Sequence, residues 1–138
     1  MITIKKQEIV KLEDVLHLYQ AVGWTNYTDQ SEMLEQALSH SLVIYVALDG
    51  DAVVGLIRLV GDGFSSVFVQ DLIVLPTYQR QGIGSALMKQ ALGDFKGAYQ
   101  VQLVTEQTEK TLGFYRSMGF EILSTYNCIG MTWVNRKN

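Results

Sequence analysis

The sequence predicts a single α/β domain in which a mixed sheet of six to seven strands is flanked by about four helices. Apolar residues recur with helical and strand periods along the 138 residues, and short glycine turns join several β-rich runs. One long apolar strand stops at Pro76, and the chain then continues into a helix through two glycines. No repeat, low-complexity tract or long linker divides the chain, so we expect one domain over residues 1–138.

The first half of the chain predicts a strand, two helices and a hairpin. Residues 2–6 alternate as a short strand, and two apolar stripes at helical spacing follow, the first ending at Gly23. The stripes consist of Leu12, Val15, Leu16, Tyr19 and Val22, and of Met33, Leu34, Ala37 and Leu38. The β-rich runs 42–48 and 52–60 are joined by Asp49-Gly50-Asp51, a turn sequence typical of hairpins.

The second half predicts a strand at 66–75, the glycine helix, a strand at 99–105 and a short helix at 109–118. Residues 120–126 and 128–134 are interpreted as a terminal antiparallel pair of strands. In the strand that ends at Pro76, alternation places Gln70 on one face and Asp71 on the other.

The segment after Pro76 has the character of an anion site. Gly82 and Gly84 carry no side chain, so a phosphate could approach the backbone, and the first helical turn leaves N–H groups free. Residues 76–92 contain no acid, although helix starts usually collect acids, and Arg80 opposes the helix dipole there. The simpler alternative is a helix after a tight turn, but the strand, the turn and the missing acids together favour a bound phosphate.

Composition excludes several function classes. A net charge of -3 and a pI near 5.3 argue against a nucleic-acid partner. The single cysteine, Cys128, rules out an internal disulfide framework, and no segment has the pattern of a signal peptide or a membrane span. From these two absences and the single cysteine we expect a cytoplasmic protein with no membrane association. The two histidines lack partners at metal-ligand spacing, so we expect no metal.

Three motifs in order carry a family resemblance. They are Val74-x-Pro76, then Gln79-Arg80-Gln81-Gly82-Ile83-Gly84, then Phe114-Tyr115-Arg116-Ser117-Met118-Gly119-Phe120. With the element order, they make nearly the whole chain resemble the GNAT superfamily of acetyl-CoA-dependent N-acetyltransferases. The resemblance implies a mostly antiparallel GNAT-like sheet. It also implies that an acetyl group passes from acetyl-CoA to a primary amine of a small molecule or peptide by direct attack in a ternary complex.

By this resemblance, the end of the central strand and the glycine segment bind acetyl-CoA. The exposed strand backbone would pair with the pantetheine arm, as an added strand does. The helix N–H groups would hold the pyrophosphate with added charge from Arg80. The cofactor-binding residues implied are Leu72, Ile73, Val74, Gln79, Arg80, Gln81, Gly82, Ile83, Gly84 and Ser85.

The chemistry needs an amine that loses a proton and a thiolate that gains one. Tyr115 matches the family tyrosine that serves as general acid, although it could instead only pack its helix. Gln70 stands where some members carry a His or acid, and it could orient a water; Glu106 is an alternative base. The sequence departs from the family at Thr108, where many members carry Asn.

Acceptor specificity in this family comes mostly from the first two helices and their link. Trp24 and Tyr27 could form an aromatic wall for the amine, with Asp29, Glu32 or Glu35 as charge partners, or they could equally be packing residues. An acyl-CoA-binding sensor without turnover is the alternative function, and a nucleotide-binding protein is disfavoured because no Lys-Ser/Thr pair follows the glycines. A homodimer is consistent with the resemblance.

Overall fold

The computed structural model describes residues 1–134, in which the strands form one five-stranded sheet. The strands are β1 (Ile2–Gln7), β2 (Val43–Asp49), β3 (Ala52–Gly61), β4 (Ser66–Val74) and β5 (Gln100–Leu103). They lie in the order β1-β2-β3-β4-β5, with antiparallel pairing from β1 to β4 and parallel pairing of β4 with β5. The mixed, mostly antiparallel sheet expected from the sequence is therefore confirmed.

Five α-helices and two 3-10 helices complete the described chain. The α-helices are α1 (Leu12–Ala21), α2 (Thr25–Thr28), α3 (Ser31–Ser39), α4 (Ile83–Asp94) and α5 (Glu109–Ser117), and the 3-10 helices are Pro76–Tyr78 and Leu123–Tyr126. The short α2 lies in a stretch that the sequence predicts as a polar link. It forms because the N–H groups of Thr28 and Asp29 bond to the carbonyls of Trp24 and Thr25.

The chain divides into two compact units, Met1–Leu103 and Val104–Asn138. In the first unit, helices cover both faces of the sheet. Val15, Leu18 and Tyr19 of α1 and Leu34 and Leu38 of α3 pack on Ile44, Val46, Leu56 and Ile73. On the other face, Ile83, Leu87, Met88 and Ala91 of α4 are buried, and a Cβ at Gly55 of β3 would lie 3.3 Å from Leu87 Cδ1.

The predicted terminal strand pair at 120–126 and 128–134 is wrong. The N–H groups of Thr125, Asn127 and Cys128 bond to carbonyls only three to five residues back, which forms a 3-10 turn instead of a ladder. Beyond that turn, the alternating apolar side chains of Ile129 and Met131 are 76% and 92% exposed. Period-two alternation produces a strand only where a partner strand is present. Residues 1–134 therefore contain five strands rather than six to seven. They contain five α-helices, where the sequence predicts about four.

The predicted strand at 99–105 is shorter in the structure, where β5 covers Gln100–Leu103. No helix among residues 1–134 has both the length and the apolar character needed to cross a bilayer.

Candidate functional site

The connection from β4 to α4 is a short, tied-down loop. β4 ends at Val74, the 3-10 helix Pro76–Tyr78 follows, and Gln79 then returns to an extended conformation. The Gln79 side chain donates from Nε2 to the carbonyl of Val74 at 3.1 Å, and Tyr78 Oη donates to Asp49 Oδ2 at 2.6 Å. These bonds fix the loop to the strand it leaves and to the β2–β3 turn.

The N-terminus of α4 presents backbone donors. Gly82 is the N-cap residue at φ 80, and the first helical bond runs from the Ala86 N–H to its carbonyl at 3.0 Å. The N–H groups of Ile83, Gly84 and Ser85 precede that bond, so no helical carbonyl is available to them. Because the N-cap residue is a glycine, no side chain caps these donors, and the first turn of α4 contains no acid.

The space beside these donors is open. A Cβ built on Gly82 meets no atom within 4 Å, so the backbone there is accessible to a ligand. Free N–H groups, the positive end of the helix dipole and an accessible approach suit a phosphate. The donor set therefore fits the pyrophosphate that the sequence predicts for this position.

Arg80 holds an uncommon backbone conformation in the same loop. Its φ is 65°, in the left-handed region that residues with a Cβ seldom adopt. Such a conformation costs about 1–3 kcal/mol and is concentrated at ligand sites. This left-handed conformation lets the chain turn tightly between Gln79 and Gly82.

One edge of β4 is open over its second half. Pairing with β5 runs from Ser66↔Gln100 to Val69↔Leu103, and β5 ends there. The rest of β4, through Leu72, Ile73 and Val74, is paired with β3 on its other edge but has no strand partner on this one among residues 1–134. An extended ligand can add to such an edge by main-chain hydrogen bonds.

Gln70 lies at a β-bulge where this open edge begins. Across β3 and β4, Arg58 is opposite Asp71, but Leu59 is opposite Val69, so Gln70 is the extra residue. The burial alternation predicted for β4 is confirmed, since Gln70 is exposed whereas Asp71 is buried. Even so, both side chains reach the hydroxyl of Tyr27, which a regular strand would not allow for successive residues.

Next to Gln70 lies a buried polar network that the sequence motifs did not predict. Arg58 Nε donates to Asp71 Oδ2 at 2.7 Å, and the two residues are 4% and 3% exposed. Tyr19 Oη donates to Asp71 Oδ2 at 2.8 Å, and Tyr27 Oη donates to Asp71 Oδ1 at 2.9 Å. Asp71 thus accepts three hydrogen bonds inside the core, two at Oδ2 and one at Oδ1.

The network changes the acid strength of its members. Burial and the charge of Asp71 raise the pKa of Tyr19 and of Tyr27, so both phenols stay protonated. Burial is the largest single influence on the pKa of Arg58 and lowers it, but the charge of Asp71, the hydrogen bond to Asp71 and the two tyrosines together leave that pKa raised. An Arg and an Asp inside apolar strand runs were the sequence signal for this pair, because buried charges need partners.

Trp24 and Tyr27 belong to an aromatic cluster with Tyr19. The ring centroids of Tyr19 lie 6.1 Å from Trp24 and 5.1 Å from Tyr27, with edge contacts. Both link residues are half-buried and pack against the core between α1, α3 and the sheet. The three expected charge partners, Asp29, Glu32 and Glu35, are exposed.

The second unit carries Tyr115 on α5. Its half-buried ring makes edge contacts with Phe114 and Phe120, at 5.0 and 5.9 Å between centroids. Burial raises the pKa of Tyr115, and the Thr105 side chain, which can donate to the phenol oxygen, opposes that rise. A phenol with a raised pKa stays protonated at neutral pH, as a proton donor must.

The residue that departs from the family has a structural role here. Thr108 is the N-cap of α5, where its Oγ1 accepts from the Thr111 N–H at 3.2 Å and donates to Thr111 Oγ1 at 2.8 Å. Glu106, the alternative base, is exposed in the preceding loop.

Comparisons with known proteins agree with this architecture. Residues 40–122 match the family model of the acetyltransferase (GNAT) domain. The chain is similar to serotonin N-acetyltransferase 2, chloroplastic, of Oryza sativa subsp. japonica, with 32% identity over 95 residues that cover 66% of this chain and 48% of that protein. The chain thus spans about half the length of the curated relatives it matches.

Solved structures show the same fold. A GNAT family acetyltransferase from Streptococcus pneumoniae TIGR4 is 86% identical, with a TM-score of 0.91 and 99% of both chains covered. The PaiA N-acetyltransferase from Thermoplasma acidophilum, in complex with coenzyme A, is 18% identical with a TM-score of 0.68, and 87% of this chain and 91% of that one are covered. The latter likeness is one of fold alone.

Proposed function

Because the chain belongs to the GNAT family of acetyltransferases, we propose that it moves an acetyl group from acetyl-CoA to a primary amine by direct attack in a ternary complex. The observation that carries the proposal is the N-terminus of α4, with its free N–H groups, beside the open edge of β4. A phosphate and an extended amide chain are the groups that these features recognise, and CoA has both.

The loop and strand residues divide the binding between them. The N–H groups of Gln81 to Ser85 hold the pyrophosphate, Arg80 adds positive charge, and Gln79 fixes the loop. The backbone of Leu72, Ile73 and Val74 pairs with the pantetheine arm.

Proton transfers accompany the acetyl transfer. The protonated amine first loses one proton, and its nitrogen then bonds to the thioester carbonyl carbon as the carbon–sulfur bond breaks. The nitrogen releases a second proton, which balances the proton that the departing sulfur gains. Tyr115 gives its proton to the departing sulfur, because its raised pKa keeps it protonated at the pH where the amine must react. Gln70 lacks a basic group and contributes by orienting the amine or a water at the strand bulge.

The acceptor is a primary amine bound near the aromatic link between α1 and α3. Trp24 and Tyr27 form one wall of that site through their exposed ring surfaces. Serotonin, a primary amine named for a relative, is a suitable first probe. The homodimer and the cytoplasmic location expected from the sequence stay predictions.

Release of free CoA from acetyl-CoA, followed with a thiol reagent, tests the proposal. Serotonin, spermidine and a lysine-containing peptide serve as acceptors, and serotonin dimethylated on its side-chain amine is the matched control because that nitrogen has no N–H to exchange for an acetyl group. We expect CoA release with at least one primary amine and none with the dimethylated control. Tight binding of acetyl-CoA with no amine-dependent release would instead establish the sensor alternative.

A further inference from the structure

The hydroxyl of Tyr27 uses all of its hydrogen-bonding capacity. It donates to Asp71 Oδ1 at 2.9 Å, and it accepts from Arg58 Nη2 at 3.2 Å and from Gln70 Nε2 at 3.4 Å. A phenol has one proton and accepts through two lone pairs. Each of these sites on Tyr27 therefore has a partner.

The ion pair determines which way the Gln70 amide faces. The carboxylate of Asp71 has no proton to give and the guanidinium of Arg58 has no lone pair, so the Tyr27 proton must point to Asp71. The remaining lone pair of Tyr27 can only accept, which requires the NH₂ group of Gln70 and excludes its carbonyl oxygen. The oxygen, Oε1, is thus directed away from Tyr27 on an exposed side chain.

The bulge makes this arrangement available. Because Gln70 is the extra residue between the Arg58↔Asp71 and Leu59↔Val69 pairs, its side chain reaches the same hydroxyl as that of Asp71. Gln70 also begins the stretch of β4 that has no partner on the β5 side. The side chain that carries this acceptor oxygen therefore belongs to the residue at the start of the open strand edge.

We propose that Tyr27 is a positioning residue that, held by the Arg58–Asp71 pair, orients Gln70 so that Oε1 accepts a hydrogen bond from an N–H of the acceptor amine. This inference rests on the proposed function and specifies its acceptor contact. The substrate class is an amine that keeps an N–H free for this bond while its lone pair attacks. The Tyr27 hydroxyl does not touch the amine itself and acts only by orienting Gln70.

Matched tyrosine variants test the role of Tyr27. Tyr27→Phe and Tyr19→Phe each remove one hydroxyl bonded to Asp71, but only Tyr27 contacts Gln70. Losing an oriented hydrogen bond should raise the KM for serotonin or the lysine peptide by about 3- to 10-fold in Tyr27→Phe, with the KM for acetyl-CoA unchanged. Tyr19→Phe should lower thermal stability and leave both KM values unchanged.

A double-mutant cycle with Gln70→Met separates positioning from stability. In the Tyr27→Phe background, Gln70→Met should have little further effect on the amine KM, whereas in the Tyr19→Phe background it should keep its full effect. Equal and additive effects in both backgrounds would overturn the positioning role and leave the acetyltransferase proposal standing.

Nuclear magnetic resonance provides a readout without turnover. The side-chain amide signals of Gln70 should shift and become more mobile in Tyr27→Phe but not in Tyr19→Phe. If Tyr27→Phe leaves the Gln70 amide unchanged, the inference is wrong whether or not the protein acetylates amines. Absence of CoA release from the wild type with every amine, by contrast, would contradict the proposed function itself.

Discussion

Arg58 and Asp71 are register partners on β3 and β4, and their side chains form an ion pair with Nε 2.7 Å from Oδ2. Both side chains are almost completely buried, at 5% and 2% exposure. The hydroxyls of Tyr19 and Tyr27 complete the coordination of Asp71. This arrangement joins the core of the first unit to the strand bulge at Gln70.

We predict that breaking this pair from one side is costly. Arg58→Met leaves the Asp71 charge buried without its cation, which should lower the free energy of unfolding by about 3–5 kcal/mol. The double variant Arg58→Met/Asp71→Leu should be more stable than Arg58→Met, because no buried charge remains. Urea unfolding followed by circular dichroism measures both values, and a loss below about 1 kcal/mol in Arg58→Met would be typical of a surface pair instead.

Gly84 tests the phosphate site on α4. Gly84→Val should abolish acetyl-CoA binding, because a branched side chain next to the free N–H groups obstructs a phosphate. Gly93→Val is the matched control, since Gly93 lies near the other end of the same helix and a Cβ there meets no atom within 4 Å. Calorimetry should find wild-type affinity for acetyl-CoA in Gly93→Val. If Gly84→Val and Gly93→Val bind acetyl-CoA with similar affinity, the pyrophosphate does not bind at the N-terminus of α4.

Gly82 is a less suitable test position than Gly84. Its φ of 80 makes a valine there strained whatever the available space, so Gly82→Val should lose both stability and acetyl-CoA binding. In thermal melts, Gly82→Val should have a lower melting temperature than Gly84→Val, in which the valine only obstructs the phosphate.

Tyr115→Phe should lower turnover by about 10- to 10³-fold while acetyl-CoA affinity changes little, because only the proton donor is lost. Since burial raises the pKa of Tyr115, the phenol stays protonated as the pH rises through neutrality, and its deprotonation should reduce the wild-type rate only above the ordinary tyrosine pKa of about 10. Tyr126→Phe, at a residue 65% exposed on the same unit, is the control. An unchanged pH–rate profile in Tyr115→Phe would assign Tyr115 to packing.

Trp24→Ala tests the acceptor wall. Loss of one aromatic contact with a cationic amine costs about 1–2 kcal/mol, so the amine KM should rise roughly 5- to 30-fold while the KM for acetyl-CoA stays constant. Tyr27→Ala should show the same split with an added loss of stability, because its hydroxyl bonds Asp71. Phe64→Ala, at an exposed turn residue, should change neither. A lower melting temperature with both KM values unchanged in Trp24→Ala would make Trp24 a core residue.

The sequence predicted the parts of the fold that depend on local signals. Pro76 and the glycines marked the loop before α4, and alternation in β4 correctly separated Gln70 from Asp71. The prediction of two terminal strands was wrong because alternation around Ile129 and Met131 does not show whether a partner strand is present. The Arg58–Asp71 pair and the bulge at Gln70 depend on register between strands, which no local pattern specifies.

The central claim is that this chain forms an amide from acetyl-CoA and an amine. Mass spectrometry of the products after incubation with serotonin and acetyl-CoA carrying an isotope-labelled acetyl group tests it most directly. We expect serotonin to gain the mass of one labelled acetyl group, in an amount equal to the free CoA released, and we expect no such product with the Gly84→Val variant. Free CoA that accumulates without labelled amine, with serotonin, spermidine or the lysine peptide, would contradict it.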